Sequence, residues 1–323
     1  MSKPRPCLLL VVCLGLICAG IAQAQETTLK GVCFLPKNNA LASQTIVWVD
    51  QINKELKGKL QINYVGGPEA IPGLQLAEAV RNGVVDVGFA PTAYYQNILP
   101  EGVAFTLSKL SPAEERKAGG FYDWMVKAHE KINSMYLGRW LWSPFYLWTK
   151  PEVKSIDNLK GLKMRTAALY DRFMKALGMA PVTIASPDTY TALERGTVDG
   201  FGWPLLGARE QGWTRVVKNV VDHPFYNQNC TILVNLDKWK TIPADVQKKM
   251  AAITAAFEPK MVDHFKKLNE DEWKELEKGG VKRIKFAAAE AKKYLDLAYQ
   301  VEWDELAKKV PDQIKQLKTI TGN

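Results

Sequence analysis

Histidine is scarce, with three in 323 residues. His129, His223 and His264 show no metal-binding spacing such as His-Glu-x-x-His, and none adjoins a Gly-x-Ser-x-Gly elbow. The common zinc hydrolase and serine hydrolase signatures are therefore absent. There is no Gly-x-x-x-x-Gly-Lys-Ser/Thr loop, and no Gly-x-Gly-x-x-Gly follows a strand, so no phosphate cradle for a nucleotide is expected. No run of five or six like charges stands out as a nucleic-acid arm, and no basic stripe accompanies the aromatics, which argues against nucleic acid as a partner. No nucleophile sits beside a recognisable base. These absences favour a binder over an enzyme, and neither a metal nor a cofactor is expected.

One segment differs from the rest in composition. Lys3 and Arg5 precede a continuous apolar run of about 16 residues, followed by Ala22-Gln23-Ala24. That run is shorter than the roughly 20 residues that span a bilayer. Its end matches the small-x-small pattern of leader cleavage. Residues 1–24 are expected to be a secretory signal peptide, cut near Ala24, which leaves a periplasmic chain with no membrane anchor. The net charge of +9 falls to +7 when Lys3 and Arg5 leave, a mild bias toward anions. Cys7, Cys13 and Cys18 leave as well. Cys33 and Cys230 remain, either bridged in an oxidising compartment or as two buried free thiols.

The full sequence is 47% hydrophobic, and the remaining chain has ample material for a core. Helical and strand patterns alternate, which indicates α/β layers. Strands are expected at 28–35, 60–65, 84–89 and 162–166, and a long extended aromatic run at 137–149. Helices are expected at 40–56, 74–81, 112–136 and 170–177. Ser186-Pro187 reads as a cap and first helical position for a helix ending at Glu194. The stretch from Ala244 to about Leu317 is mostly helical. One internal echo stands out: AVRNGVVDVGF at 79–89 and ALERGTVDGFG at 192–202. Each has a helix end, a glycine suited to a left-handed cap, a β-branched residue and an aspartate at the same offset (Asp86, Asp199). The echo suggests two lobes of like construction, with 90–95 and 201–205 facing each other across a cleft at the carboxyl ends of strands.

Arg165 comes late in its expected strand. Arginine suits an oxyanion, with five donors in a permanently charged planar fork. On the residue alone, an arginine paired with a neighbouring Asp or Glu, or simply solvated, is the favoured reading. The ordered set LKGLKMRT, ALGMAPV and SPDTYTALERGTVDGF resembles the solute-binding proteins of tripartite ATP-independent periplasmic (TRAP) transporters. So does LQINYVGGPEAI…LAEAVRNGVVDVGF in the first half. That resemblance covers nearly the whole exported chain. It implies an α/β fold of two lobes joined by a shared long helix, with a ligand cleft between them. Lobe I would comprise residues 25–146 with about 231–275. Lobe II would comprise about 147–230 with about 276–323. The resemblance also implies binding without catalysis, an organic acid as ligand, TRAP membrane permease subunits as partners, and Arg165 as the carboxylate clamp.

The sequence departs from that family's pattern at Trp203, where many members carry asparagine. Trp203 can still donate through its indole, but it mainly adds an apolar face. Arg139 is a second candidate basic group, and Phe201, Tyr94, Tyr95, Tyr190 and Phe145 are candidate aromatic contacts. Together they suggest a monocarboxylate with an apolar or aromatic body. A small dicarboxylate, a sulfonate, the binding protein of an ATP-driven importer and an exported enzyme acting on an acid are the alternatives.

Overall fold

The computed structural model describes residues 26–323 apart from 40, 168 and 185, without the side chains of 187 and 228. The leader expected over 1–24 lies outside the described residues. In chain order, β1 (Thr27–Cys33), α1 (Ser43–Glu55), β2 (Leu60–Gly66), α2 (Leu76–Arg81) and β3 (Val87–Pro91) form the first unit. Short helices α3 (Ala104–Leu107) and α4 (Pro112–Glu115) lead to α5 (Phe121–Glu130) and the 16-residue strand β4 (Ser134–Thr149). Then come β5 (Lys163–Thr166), α6 (Asp171–Ala176), β6 (Ala180–Thr183), α7 (Thr189–Glu194) and β7 (Gly200–Pro204). The 17-residue strand β8 (Asn219–Asn235) is followed by α8 (Leu236–Thr241), α9 (Ala244–Lys278), β9 (Lys282–Ile284), α10 (Ala288–Lys309) and α11 (Ile314–Ile320).

All strands join one sheet in the order β2-β1-β3-β8-β4-β7-β5-β6, with β9 also on β8. The parallel strands β1, β2 and β3 build lobe I, and the parallel strands β5, β6 and β7 build lobe II. The antiparallel pair β4 and β8 runs through both. Its register shifts four times between Tyr136 and Leu147, where the pair passes from one lobe to the other. Such irregularities weaken the ladder locally and suit a bending point.

The echo is visible in three dimensions. Gly83 (φ 70°) follows α2 and Gly196 (φ 72°) follows α7, both in the left-handed region that glycine tolerates. Asp86 Oδ2 accepts the Lys30 N–H at 2.7 Å, and Asp199 Oδ2 accepts the Lys163 N–H at 2.9 Å. In each lobe the aspartate ties its own strand to a neighbouring parallel strand, at the middle of β1 and at the start of β5.

Several expectations change. The helix expected over 112–136 is two pieces. Ser111 and Glu114 form a capping box for α4, and Gly119 (φ 71°) and Gly120 separate it from α5. Residues 134–136 belong to β4. Ser186 does not cap α7: its hydroxyl donates to Gln211 Oε1 at 2.6 Å, and a 3₁₀ turn over Ser186–Asp188 precedes the helix. Strand β8 has no counterpart among the expected strands.

Helix α9 spans both lobes. Near its start, Trp48 Nε1 of α1 donates to Thr254 Oγ1 at 3.1 Å. Near its end, Arg209 holds Glu272 through two bonds of 3.0 and 2.8 Å, and Trp273 meets Tyr146 edge-on. Helix α10 is fixed to lobe II by the two-bond pair Arg172–Glu302 and by Phe173 against Tyr294. The C-terminal end returns to the segment after α3. The Lys109 N–H donates to Thr321 O, and Asn323 Nδ2 donates to Leu107 O. Among the described residues no helix is long and apolar enough to cross a membrane.

The lobe I core encloses one titratable ring. His129 is fully buried, with Nδ1 donating to Met125 O at 2.8 Å and Nε2 left to accept from the Tyr95 hydroxyl at 3.1 Å. Burial pulls its pKa down to about 4. Its stabilisation is complete above the unfolded pKa near 6.5. As pH falls toward 4, the unfolded chain takes up a proton that the folded chain refuses. Urea unfolding of the wild type and of His129→Gln should diverge in that window, with the wild type losing about 3 kcal/mol more between pH 6.5 and 4.

Candidate functional site

Arg165 lies in β5, between Val182 of β6 and Phe201 of β7, near the carboxyl ends of three parallel strands. This is where open parallel sheets present ligand sites. The side chain is buried, at 5% exposure. Nε donates to Ile184 O at 3.0 Å, and Nη1 donates to the Tyr170 hydroxyl at 2.8 Å. That hydroxyl donates in turn to Gly202 O at 2.7 Å. The guanidinium carbon sits 5.2 Å from the centre of the Trp203 ring. Among the described residues no carboxylate pairs with Arg165; its partners are a carbonyl, a phenol and an aromatic face. A buried ion without a counter-charge costs several kcal/mol, so the site favours an incoming anion.

The surroundings are aromatic. Trp203 is half-buried and propped edge-on by Trp213 at 5.1 Å. Its indole N–H donates to Leu206 O at 3.2 Å, so that donor is already occupied and the ring offers mainly a flat face. From lobe I, Tyr94 is 38% exposed and packs edge-on against Phe34. Burial raises the pKa of its hydroxyl, and the nearby Arg165 charge opposes that rise. Tyr170 and Gly202 were not singled out from the sequence, nor were Phe34 and Trp213. The one available signal was a glycine between two large aromatics in Phe201-Gly202-Trp203. A Cβ on Gly202 would lie 2.5 Å from Tyr170 Cε2, so only glycine lets the phenol ring pack there.

Of the sequence candidates, the structure brings Arg165 and Trp203 together, with Phe201 beside Arg165 in the strand register, while Tyr94 packs on Phe34. The others are held by partners of their own. Arg139 is a correction: it is buried at 2% exposure and ion-paired with Glu115, with its guanidinium carbon also 4.7 Å from the Trp142 ring. Its charge is neutralised inside lobe I. Glu115 also accepts from Ser108 at 2.6 Å. Phe201 is wholly buried, stacked on Trp148 with its edge against Trp213. Tyr95 is buried, its hydroxyl shared between His129 and Thr231. Phe145 packs behind Tyr170 at 5.2 Å. Tyr190 is half-buried on α7 beside Gly212. In each case strand alternation or core packing sends the ring inward. Cys33 and Cys230 are both free and buried. Burial pushes the Cys33 thiol up to about 11 and raises Cys230 as well, which keeps both in the unreactive thiol form.

The two arginines should answer mutation differently. Arg139→Ala leaves Glu115 charged and unpaired in the core, and denaturant unfolding should show a loss of about 3–5 kcal/mol. A loss below about 1 kcal/mol would mean that the pair is not structural.

Comparison with known proteins adds to this geometry. Residues 33–309 match the family described as bacterial extracellular solute-binding protein, family 7. A monocarboxylate 2-oxoacid-binding periplasmic protein of a Nostoc species is 26% identical over 239 residues, covering 71% of this chain. The match spans 66% of that relative, just under two thirds of its length. Among solved structures, a TRAP periplasmic solute-binding protein of Desulfovibrio salexigens with bound orotic acid superposes with a TM-score of 0.80 at 17% identity. It covers 92% of this chain and 98% of its own. An extracytoplasmic solute receptor of Bordetella pertussis binding pyroglutamic acid gives 0.79 at 18% identity, with 92% and 100% covered. The two-lobed fold is thus the one seen in TRAP solute-binding proteins, and the chain belongs to family 7 of the bacterial extracellular solute-binding proteins.

Proposed function

We propose that the protein captures one organic acid, a monocarboxylate with an apolar or aromatic body, and delivers it to a TRAP membrane permease. The observation that carries this is the buried Arg165 guanidinium, which has neutral partners only. Two of its five N–H groups are committed, and the remaining three can meet the oxygens of a carboxylate. With Arg139 neutralised by Glu115, the site has one cation to offer rather than two, which supports one carboxylate over a pair. Trp203, Tyr94 and Phe34 supply apolar surface for the body of the ligand. The names of the relatives agree in kind: a 2-oxoacid, orotic acid and pyroglutamic acid each present a carboxylate on a compact body.

The mechanism is binding followed by closure. Arg165 belongs to lobe II and Tyr94 to lobe I, so an acid held by both favours the closed form by its difference in affinity between the two states. Bending would fall on the irregular stretch of β4 and β8. The closed form is then the one presented to the permease, and nothing in the site calls for turnover of the ligand.

Charge-assisted bonds contribute roughly 1.5–3 kcal/mol each, against about 8 kcal/mol for micromolar binding. Calorimetry on Arg165→Ala should therefore show a loss of about 2–5 kcal/mol, and Arg165→Lys should also bind poorly because it keeps the charge without the fork. Unchanged affinity in Arg165→Ala would remove the clamp. A thermal-shift panel of 2-oxo acids, aryl acids, succinate and a sulfonate distinguishes the ligand classes. Stabilisation by succinate alone would favour a dicarboxylate site. Conversion of a bound acid to product would make the protein an enzyme.

A further inference from the structure

Tyr170 is buried, its hydroxyl lies between Arg165 and Gly202, and its ring is gripped on several sides. Phe145 packs on it at 5.2 Å and Phe225 at 6.3 Å, while Gly202 leaves no space for a Cβ on the third side. Packing therefore fixes where the phenol oxygen sits, independently of its hydrogen bonds.

The direction of the relay is forced by chemistry. A guanidinium only donates and a carbonyl only accepts, so the hydroxyl must accept from Nη1 and donate to Gly202 O. Burial raises the phenol pKa to about 12, with the Arg165 charge opposing part of that rise, so the hydroxyl keeps its proton and the relay stays intact at ordinary pH. At the other edge, Ile184 O holds Nε. Two points of attachment define the plane of a rigid fork. A guanidinium held by one edge alone would swing, because arginine carries the rotamer freedom of a long side chain. Gly202 O belongs to the same strand as Trp203, so the relay also ties the arginine to the strand that carries its aromatic neighbour.

We propose that Tyr170 is a positioning residue for ligand capture. Its hydroxyl accepts a hydrogen bond from Nη1, and together with the Ile184 carbonyl it fixes the guanidinium plane before any ligand arrives. The three N–H groups that remain then meet a carboxylate with no ordering left to be done. The inference presupposes the role proposed for Arg165. It adds that the clamp is assembled in the empty protein, which raises affinity by removing an ordering cost.

The test uses the protein expressed from its whole sequence, carrying Tyr170→Phe. That change keeps the ring packing and deletes both bonds of the relay. The first readout needs no ligand: the Arg165 Nε–H signal in nitrogen-15 NMR, assigned by its loss in Arg165→Lys. Its exchange with water should become roughly tenfold faster in Tyr170→Phe, as expected for loss of a charge-assisted hydrogen bond. The second is calorimetry with pyroglutamate, where affinity should fall about tenfold. Within an Arg165→Lys background the same change should have little further effect, since the tyrosine acts through the fork.

Unchanged exchange and affinity would overturn the proposal. So would an equal loss of affinity in the Arg165→Lys background, the outcome of a general weakening of the lobe. If pyroglutamate fails to bind the wild type, or binds Arg165→Ala as tightly, the clamp itself is in question. The Nε–H exchange still decides whether Tyr170 holds the guanidinium.

Discussion

A permanently charged side chain has been placed at 5% exposure with no acid beside it, and this constraint organises the site. Water has largely been removed from Arg165, and the protein returns only neutral partners: a carbonyl, a phenol and an aromatic face. Such a group sits high in free energy until an anion joins it. The three parallel strands of lobe II hold it there. Val182 flanks it on β6 and Phe201 on β7, and the packing of Phe201 against Trp148 and Trp213 keeps β7 and Trp203 in place.

Arg139 supplies the contrast within the same molecule. It is just as buried, but Glu115 faces it, and Glu115 is itself held by Ser108. Next to it, Arg116 pairs with Glu258 of α9, and Glu258 accepts the backbone N–H of Arg139 at 2.8 Å. Those four charges tie α4, β4 and the long helix together inside lobe I. The two arginines are thus opposites: one is ion-paired inside a lobe, and the other has no carboxylate beside it among the described residues.

The duplication of the lobes explains why a cleft exists at all. Asp86 and Asp199 make the same kind of bond, each accepting a backbone N–H of a neighbouring parallel strand. Tyr94 follows β3 in lobe I, and Trp203 lies within β7 of lobe II. Helix α9 and the paired strands β4 and β8 hold the two halves to a single frame while their irregular middle leaves room to bend.

Local chemistry determined much of this from sequence alone. The glycine–aspartate echo, the early strands and the long helical tail depend on neighbours a few residues apart, so they could be read in order along the chain. Arg165 as clamp came from a family resemblance, not from its own spacing. What the tertiary structure decided depends on which residues meet across long separations. Strand β8 escaped notice because its middle is polar, with Asn227, Gln228 and Asn229 paired against β4 where an exposed loop would otherwise be inferred. No pattern in the chain says that Arg139 finds Glu115, 24 residues away in α4, or that the Trp203 indole is already bonded to Leu206 O. Nor does any pattern show that the phenol of Tyr170 would lie between Arg165 and a carbonyl 32 residues further on. Burial and counter-charge are properties of the folded interior. Sequence could therefore name the arginines, and only the fold could say which one, among the described residues, was left without a carboxylate partner.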